Sequence, residues 1–458
     1  MTHLKGGKQG KDIDHTLFGA IMDRVLAMLT TQARYLIALL VDRKCALHVA
    51  AAKGQTDLVK ALLGRGANIN ARNVYSPSPW SPVLHHAASN GHTETAKALL
   101  DRGAAIDAID SAWTALHRAA QMGHIEVVRL LLDRGATIDA MANFKTALHL
   151  AVHEGHIEVV KVLLDRGAAI DTMNYFRPAA FHEAAYEGHT EIVELLLDKG
   201  AAIDAMAMDS VGTALDRAAQ MGHIKVVRLL LDRGATIDAM ADSETALHLA
   251  VREGHIEAVK LLLDRGAAMD TMADSRTALH WAADSGHIEA VKLLLDKGAA
   301  IDAMADSGTA LRLAAGGGHL EAVKVLLYRG TNIHSTNMKG RTALHEACEN
   351  GWRWPHCHYT KLVKALLERS KSTSIYVNFA DKWGDTALHC AAQGAYPNAE
   401  IIQLLLDNGA NTDWKNGSGE AALDIARARR WGWECVVTLL TPTVHMNKLH
   451  IRPYGHGN

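Results

Sequence analysis

Three features are missing from this chain: paired cysteines, long apolar runs and a large net charge. The 5 cysteines are scattered without paired spacing, which favours free thiols in a reducing compartment over a disulfide framework. No apolar run approaches the roughly 20 residues needed to cross a membrane, and the N-terminus has no signal-peptide core. A formal net charge of −2 argues against a dedicated nucleic-acid or membrane surface. We therefore expect a cytoplasmic and/or nuclear protein that contacts neither nucleic acid nor membranes directly.

Signatures of catalysis are missing as well. The sequence has no nucleophile motif, phosphate-binding loop or paired-carboxylate pattern. Most of the 27 histidines recur at fixed positions of a repeat, where a neutral imidazole that donates at one nitrogen and accepts at the other has a structural role. We predict a protein that is not an enzyme, with no catalytic, cofactor-binding or metal-binding residues.

What the chain does contain is a repeated unit, seen most clearly from Thr245 to Arg276. Thr245 can cap a short helix, because its hydroxyl can accept a backbone N–H of the first turn. That helix ends near Gly254, and a second helix with one apolar face follows and ends near Gly266. Because one such helix pair cannot cover its own apolar face, it requires a copy stacked on each side.

Twelve copies follow one another with spacings mostly of 32 to 34 residues. A period of this length, with two helices and a turn-rich return, is typical of a solenoid. The copies are marked by the position that Thr245 occupies: Cys45, Pro82, Thr114, Thr146, Ala179, Thr213, Thr245, Thr277, Thr309, Thr342, Thr386 and Ala421.

These motifs resemble those of the ankyrin-repeat family. The TALH motif, which begins for example at Thr114, Thr146 and Thr245, is similar to the family's TPLH, and a glycine–histidine turn such as Gly254-His255 recurs. The resemblance implies an all-α repeat fold, an α-solenoid of about twelve units with short β-hairpin-like loops. It also implies that the motif histidine ties neighbouring hairpins together. That histidine is replaced in three repeats, by Asp216, Arg312 and Asp424.

The predicted organisation has three parts. Residues 1–43 form a disordered N-terminus and a helical cap, residues 44–441 the repeat array, and residues 442–458 a C-terminal tail. The repeat at 342–385 is irregular, with extra residues within 351–360 that we expect to form an exposed loop. This insertion contains His356-Cys357-His358, but no second ligand pair stands at zinc-finger spacing.

The family binds partner proteins in a groove lined by hairpin tips and first helices. Mapped onto this chain, the groove has a mixture of arginine, aromatic and methionine side chains that is typical of interfaces, although ordinary surface variability would give some of them too. The candidate protein-binding residues are Trp113, Arg118, Met122, Met141, Met173, Tyr186, Met206, Arg217, Met221, Met240, Met272, Trp281, Met304, Trp383 and Trp414.

Six of these candidates are methionines at one hairpin position in six successive repeats, from Met141 to Met304. Two interpretations stay open. The methionines could form a soft apolar strip that contacts a partner. They could instead pack on neighbouring hairpins and have been copied by duplication.

The function that we predict is a scaffold, adaptor or inhibitor that binds an unidentified protein partner along the concave groove, as a monomer. One alternative is a nuclear transcription co-regulator that binds a transcription factor. Another, from a different class, is an enzyme or metal protein centred on the 351–360 insertion.

Overall fold

A computed structural model describes residues 43–70, 72–73, 81–110, 112–171, 179–206, 212–241, 243–351, 356–370, 375–394, 396, 398–428 and 434–441. In these ranges the chain forms 24 helices and one antiparallel pair of two-residue strands. The helices follow one another in pairs, which confirms the predicted all-α ankyrin-type stack. The predicted N-terminal cap and C-terminal tail lie outside the described residues.

The chain divides into two compact units, Met1–Ala214 and Leu215–Asn458. The helices and strands of the first unit are α1 (Arg43–Ala52), α2 (Thr56–Gly64), β1 (Arg72–Asn73), β2 (Ser81–Pro82), α3 (Val83–Ser89), α4 (Thr93–Leu100), α5 (Ala115–Gln121), α6 (Ile125–Asp133), α7 (Ala147–His153), α8 (Ile157–Asp165), α9 (Ala180–Glu187) and α10 (Thr190–Asp198).

The second unit continues the same alternation of first and second helices, and α11 begins one residue before it. Its helices are α11 (Ala214–Gln220), α12 (Ile224–Asp232), α13 (Ala246–Glu253), α14 (Ile256–Asp264), α15 (Ala278–Ser285), α16 (Ile288–Asp296), α17 (Ala310–Gly317), α18 (Leu320–Tyr328), α19 (Ala343–Glu349), α20 (His356–Arg369), α21 (Ala387–Gln393), α22 (Ala399–Asp407), α23 (Ala422–Ala428) and α24 (Glu434–Leu440). No helix in the described ranges is both long enough and apolar enough to span a bilayer.

The first helix of a repeat is fixed by its threonine and histidine. In α5, the backbone N–H of His117 donates to Thr114 Oγ1 at 3.4 Å, and the backbone N–H of Thr114 donates to His117 Nδ1 at 3.4 Å. Since Nδ1 accepts, Nε2 carries the proton, and it donates to the carbonyl of Lys145 in the next hairpin at 3.0 Å. The motif histidine therefore caps its own helix and also ties it to the following repeat.

The second helix buries one aliphatic face. In α6, Val127, Val128 and Leu131 are fully buried, whereas Glu126 and Arg129 are exposed on the opposite side. Burying each such side chain contributes about 1.5 to 3 kcal/mol. The apolar face thus requires neighbouring helix pairs on both sides, as the repeat pattern predicted.

A glycine of one repeat and a histidine of the next link the turns that connect the two helices of each repeat. Gly254 has φ +79°, and a Cβ atom there would lie 2.7 Å from the ring of His287 in the next repeat. His287 Nε2 in turn donates to the carbonyl of Arg252 at 3.0 Å. Only glycine combines the left-handed backbone with this close approach of an imidazole.

A carboxylate supplies another link between repeats at the hairpin base. Asp238 Oδ1 accepts the backbone N–H of Ala268 at 3.0 Å, and Asp270 Oδ1 accepts that of Ala300 at 3.2 Å. Asp139 makes the same bond in the first unit, to the N–H of Ala169 at 3.0 Å. Each of these bonds joins residues 30 positions apart, so each satisfies a loop N–H of the next repeat.

The irregular repeat differs from the sequence prediction. We expected an exposed loop over 351–360. Residues 352–355 lie outside the described ranges, and a 14-residue helix, α20, begins at His356. The physical reason lies in Tyr359, which is buried against Gly318 of the preceding repeat and donates its hydroxyl to the carbonyl of Gly316 at 3.0 Å. Tyr359 therefore makes the contact of the turn histidine from within a helix, whereas a regular turn histidine such as His287 precedes its helix.

The replaced motif histidines have different contacts. Arg312 is buried and its Nη1 donates to Glu346 Oε1 of the next repeat at 2.7 Å, so an ion pair joins these repeats. Asp424 instead accepts the backbone N–H of Ala421 at 3.0 Å and caps its own helix. Asp216 is buried at the start of α11. At Arg312, an ion pair thus replaces the histidine hydrogen bond that joins neighbouring repeats elsewhere.

Candidate functional site

The predicted binding positions cluster on the hairpins and on the exposed sides of the first helices. The hairpin before α15 is tight, since Ala273 and Arg276 exchange two backbone hydrogen bonds of 2.7 and 2.8 Å. Between them, Asp274 and Ser275 have φ of +46° and +61°, the left-handed values of a two-residue turn. Ala273 is buried, so Met272 and Asp274 on either side of it are exposed.

In the second unit a methionine precedes a buried alanine at three hairpins, at Ala241, Ala273 and Ala305. The side chains of Met240, Met272 and Met304 are 47%, 42% and 52% exposed. We call these three residues the methionine strip. About half of each side chain is open to solvent. In the first unit Met141 and Met206 are exposed at the same hairpin position, and Met173 lies outside the described residues.

Carboxylates lie beside the methionine strip. Asp274 and Asp306 are exposed two residues after Met272 and Met304, and neither forms an ion pair within the described ranges. By contrast, Arg276 in the same hairpin is paired with Asp284 at 2.8 Å. The exposed surface of these hairpins is therefore apolar and acidic.

The arginine and tryptophan candidates of the first unit are only half exposed because they are held by neighbours. Arg118 Nη2 lies 2.8 Å from Asp110 Oδ2, and His85 Nδ1 lies 3.3 Å from the same oxygen. Burial alone would raise the pKa of the Asp110 carboxyl, but its bonds to His85, Arg118 and two backbone N–H groups hold the pKa well below its usual range. The Trp113 ring lies 5.5 Å from the His117 ring. Arg118 is thus part of a structural ion pair.

Trp281 in the second unit has two guanidinium groups close to its ring. Arg276 Cζ lies 4.9 Å and Arg252 Cζ 5.9 Å from the ring centre. Its indole nitrogen is buried and forms no hydrogen bond among the described residues. Arg217 is also half-buried, and its Nη1 donates to Gln220 Oε1 at 3.2 Å. These side chains are less available to a partner than the sequence suggested.

The remaining candidates are exposed apolar side chains. They are Met122 and Tyr186 in the first unit and Met221, Trp383 and Trp414 in the second. Trp383 lies in the hairpin before α21, where Arg341 Cζ is 5.6 Å from its ring centre. The exposed apolar candidates of the second unit are therefore the methionine strip, Met221 and the two tryptophans.

Sequence reasoning missed one cluster of potential ligands in the first unit. His153 ends α7, and Glu183 and Glu187 lie one turn apart on α9. Their ligand atoms all lie within 4.8 Å of one another. His153 precedes the two glutamates by about 30 positions in the chain, so no short motif contains all three residues. The signal that could have found them is the alignment of repeats, which brings the end of one first helix beside the next.

Known proteins resemble parts of the chain. A 72-residue stretch is 42% identical to human "Ankyrin repeat and SOCS box protein 11", covering 15% of this chain and 20% of the relative. An 83-residue stretch is 37% identical to human "Palmitoyltransferase ZDHHC17", covering 18% of this chain and 12% of the relative. The chain therefore spans at most a fifth of the length of these relatives.

A solved structure is similar over a larger part. The crystal structure of the human ASB11 ankyrin repeat domain aligns with a TM-score of 0.43 and 31% identity over 48% of this chain and 97% of its own. The likeness to the palmitoyltransferase lies in that protein's ankyrin domain.

Ankyrin repeats form a non-catalytic fold that serves protein–protein interaction. The sequence model described as "Ankyrin repeats (3 copies)" matches residues 47–142, 84–174, 148–241, 237–305, 300–376 and 356–449. These matches extend over far more than half of the chain, so the chain belongs to the ankyrin-repeat family.

Proposed function

We propose that this protein is a scaffold or adaptor whose methionine strip binds a protein partner. The observation that carries the proposal is that Met240, Met272 and Met304 expose 42% to 52% of their side chains at the same position of three successive repeats. Methionine is flexible and polarizable, so a row of three can adapt to apolar side chains of a partner. Removing these surfaces from water would contribute to binding in proportion to the apolar area covered.

The charge beside the strip indicates the chemistry of the partner. Asp274 and Asp306 are exposed next to Met272 and Met304 and form no ion pair within the described ranges. A partner segment with alternating apolar and basic side chains would cover the methionines and pair with these carboxylates. Charge complementarity of this kind raises the association rate and selects among partners.

The test is affinity capture with quantitative mass spectrometry, in a buffer of physiological salt. The bait is the full chain, compared with a variant in which Met240, Met272 and Met304 are all replaced by glutamine. We expect partners with basic apolar segments to be depleted roughly tenfold on the variant, because the apolar contact is lost. The midpoint of denaturant unfolding should stay close to that of the parent chain, since the side chains are half exposed.

The matched control replaces two exposed apolar side chains outside the methionine-bearing hairpins, Tyr328 and Ile375, by glutamine. This control should keep its partners. If the strip variant loses stability but keeps its partners, the methionines pack the array and the proposal is wrong. A double variant, Asp274→Asn with Asp306→Asn, should weaken capture less and reduce its dependence on salt.

A further inference from the structure

The His153 cluster brings three ligand-type side chains of two successive repeats to one point. His153 Nδ1 lies 2.9 Å from Glu183 Oε1 and 3.2 Å from Glu187 Oε1. Within the described part of the chain, it is the one group of three histidine, cysteine or acidic ligand atoms that lie within 4.8 Å of one another. Ligand atoms about 2 Å from a shared zinc ion lie roughly 3.3 Å apart in tetrahedral geometry. The observed separations are close to that value.

The Nδ1 atom of His153 is buried although the rest of the side chain is partly exposed. His153 Nδ1 is shielded from solvent, yet it forms no hydrogen bond of acceptable geometry among the described residues. The nearby carboxylate oxygens approach it at hydrogen-bond distance but not along its N–H direction. An ion placed between the three ligand atoms would replace these poorly directed contacts, because metal ligands converge on a shared point and not on one another.

A fourth side chain holds one of the carboxylates. Lys145 Nζ donates to Glu183 Oε1 at 3.1 Å. Burial alone would raise the pKa of Glu183, but the charge and the hydrogen bond of Lys145 lower it. A hydrogen bond from outside the ligand set commonly orients a ligating carboxylate in this way. With a neutral imidazole, the form that binds a metal, two carboxylates and one ammonium give the cluster a net negative charge.

We propose that His153, Glu183 and Glu187 bind one divalent transition-metal ion across two repeats of the first unit. One imidazole nitrogen and two carboxylate oxygens suit zinc and its neighbours in the first transition row. Magnesium and calcium, which prefer sites made of oxygen ligands alone, suit it less well. Bound there, the ion joins α7 to α9 and keeps a coordination position on the solvent side, because His153 and Glu187 are partly exposed.

The arrangement is particular to this pair of repeats. The three positions are the seventh residue after one repeat marker and the fourth and eighth after the next. In other pairs the same three positions hold Gln121, Leu150 and Glu154, or Arg252, Trp281 and Ser285, or Asp284, Leu313 and Gly317. None of those sets offers three metal ligands. The cluster is therefore not a by-product of duplication.

The test is titration of the full chain with zinc chloride at neutral pH, in competition with a chromophoric chelator. Two variants each remove one ligand, His153→Ala and Glu187→Gln. We expect each variant to lose one tight equivalent of zinc, or to bind it roughly tenfold to a hundredfold more weakly. Magnesium chloride at the same concentration should not displace the zinc.

Matched controls separate the site from general binding by surface residues. Glu154→Gln removes an exposed carboxylate next to His153 on the same helix end, and His358→Ala removes an exposed histidine of the second unit. Both controls should keep the zinc equivalent of the parent chain. If His153→Ala and Glu187→Gln bind as many equivalents with the same affinity as the parent chain, the proposal is overturned.

A second measurement covers the case in which one variant folds poorly. Because a ligand that binds only the folded chain stabilises it, zinc should raise the unfolding midpoint of the parent chain and of both controls. The same zinc concentration should leave the midpoint of Glu187→Gln unchanged, and this variant is nearly isosteric with the parent chain. An equal rise in Glu187→Gln would also overturn the proposal.

Discussion

The regular junction at Gly254 and the irregular junction at Gly318 make the same contact with different side chains. In the first, the ring of His287 lies over the glycine and donates to the carbonyl of Arg252. In the second, Tyr359 lies over the glycine and donates to the carbonyl of Gly316. The comparison teaches that the junction requires a flat ring with a hydrogen-bond donor at its tip. The imidazole of His287 and the phenol of Tyr359 both meet this requirement.

The largest effect should come from removing the ring of Tyr359. Replacing it by alanine leaves a cavity beside Gly318 and an unpaired carbonyl at Gly316, so we expect a loss of about 3 to 5 kcal/mol in unfolding free energy. Tyr359→Phe keeps the ring and should cost about 1 kcal/mol. Denaturant unfolding measures both. Equal losses in the two variants would mean that the hydroxyl, and not the ring, is what the junction requires.

A smaller effect should come from changing the glycine of the regular junction. Gly254→Ala places a Cβ atom 2.7 Å from His287 at φ +79°, so strain and overpacking together should cost roughly 2 to 4 kcal/mol. Gly266 is the matched control, because its φ of +90° is equally left-handed but no atom lies within 4 Å of the added Cβ. Gly266→Ala should cost roughly 1 kcal/mol. A similar cost at both positions in denaturant unfolding would rule out the histidine contact as the cause.

The smallest effect per residue should come from pH, and it concerns the motif histidines that regular and irregular repeats share. Burial lowers the pKa of His117, His248, His280 and His345 from 6.5. The unfolded chain therefore binds protons at a higher pH than the folded chain does. The stability that these neutral rings contribute is fully present above pH 6.5 and should fall as the pH drops below it.

We expect the midpoint of urea unfolding to change little above about pH 7 and to decrease between about pH 6.5 and about pH 5.5. Replacing buried His248 by asparagine should reduce this slope, whereas replacing exposed His358 by alanine should not. A midpoint that stays constant over this range would contradict the assignment of neutral motif histidines.

The regular parts of the fold could be predicted from the sequence because the same capping and turn motifs occur in most repeats. The threonine–histidine pair at Thr114 and the left-handed glycine at Gly254 recur at fixed spacing. With twelve repeats to compare, a substitution in one repeat does not hide the pattern. Tyr359 was missed because the insertion shifts the register and because tyrosine replaces the usual histidine. The half-burial of Arg118 and Trp281 was missed as well, since their partners Asp110 and Arg252 lie in other turns of the chain.

The site reasoning had a comparable limit. The methionine strip is exposed because exposed and buried residues alternate along each hairpin, and each methionine precedes a buried alanine such as Ala273. A two-residue alternation of this kind can be predicted from the sequence. The His153 cluster requires contacts between positions of adjacent repeats, and a search for motifs within one repeat cannot reveal such contacts.

The carboxylate bonds between hairpins bear on how a chain of this kind can change in length. Because Asp238 and Asp270 each serve an N–H 30 positions further on, a whole repeat can be inserted or deleted and every such bond finds an equivalent donor. A deletion of any other length leaves a carboxylate opposite the wrong atom. Evolution can therefore lengthen the array by copying repeats, whereas a ligand set divided between two particular repeats, such as that of His153, would be separated by any copy placed between them.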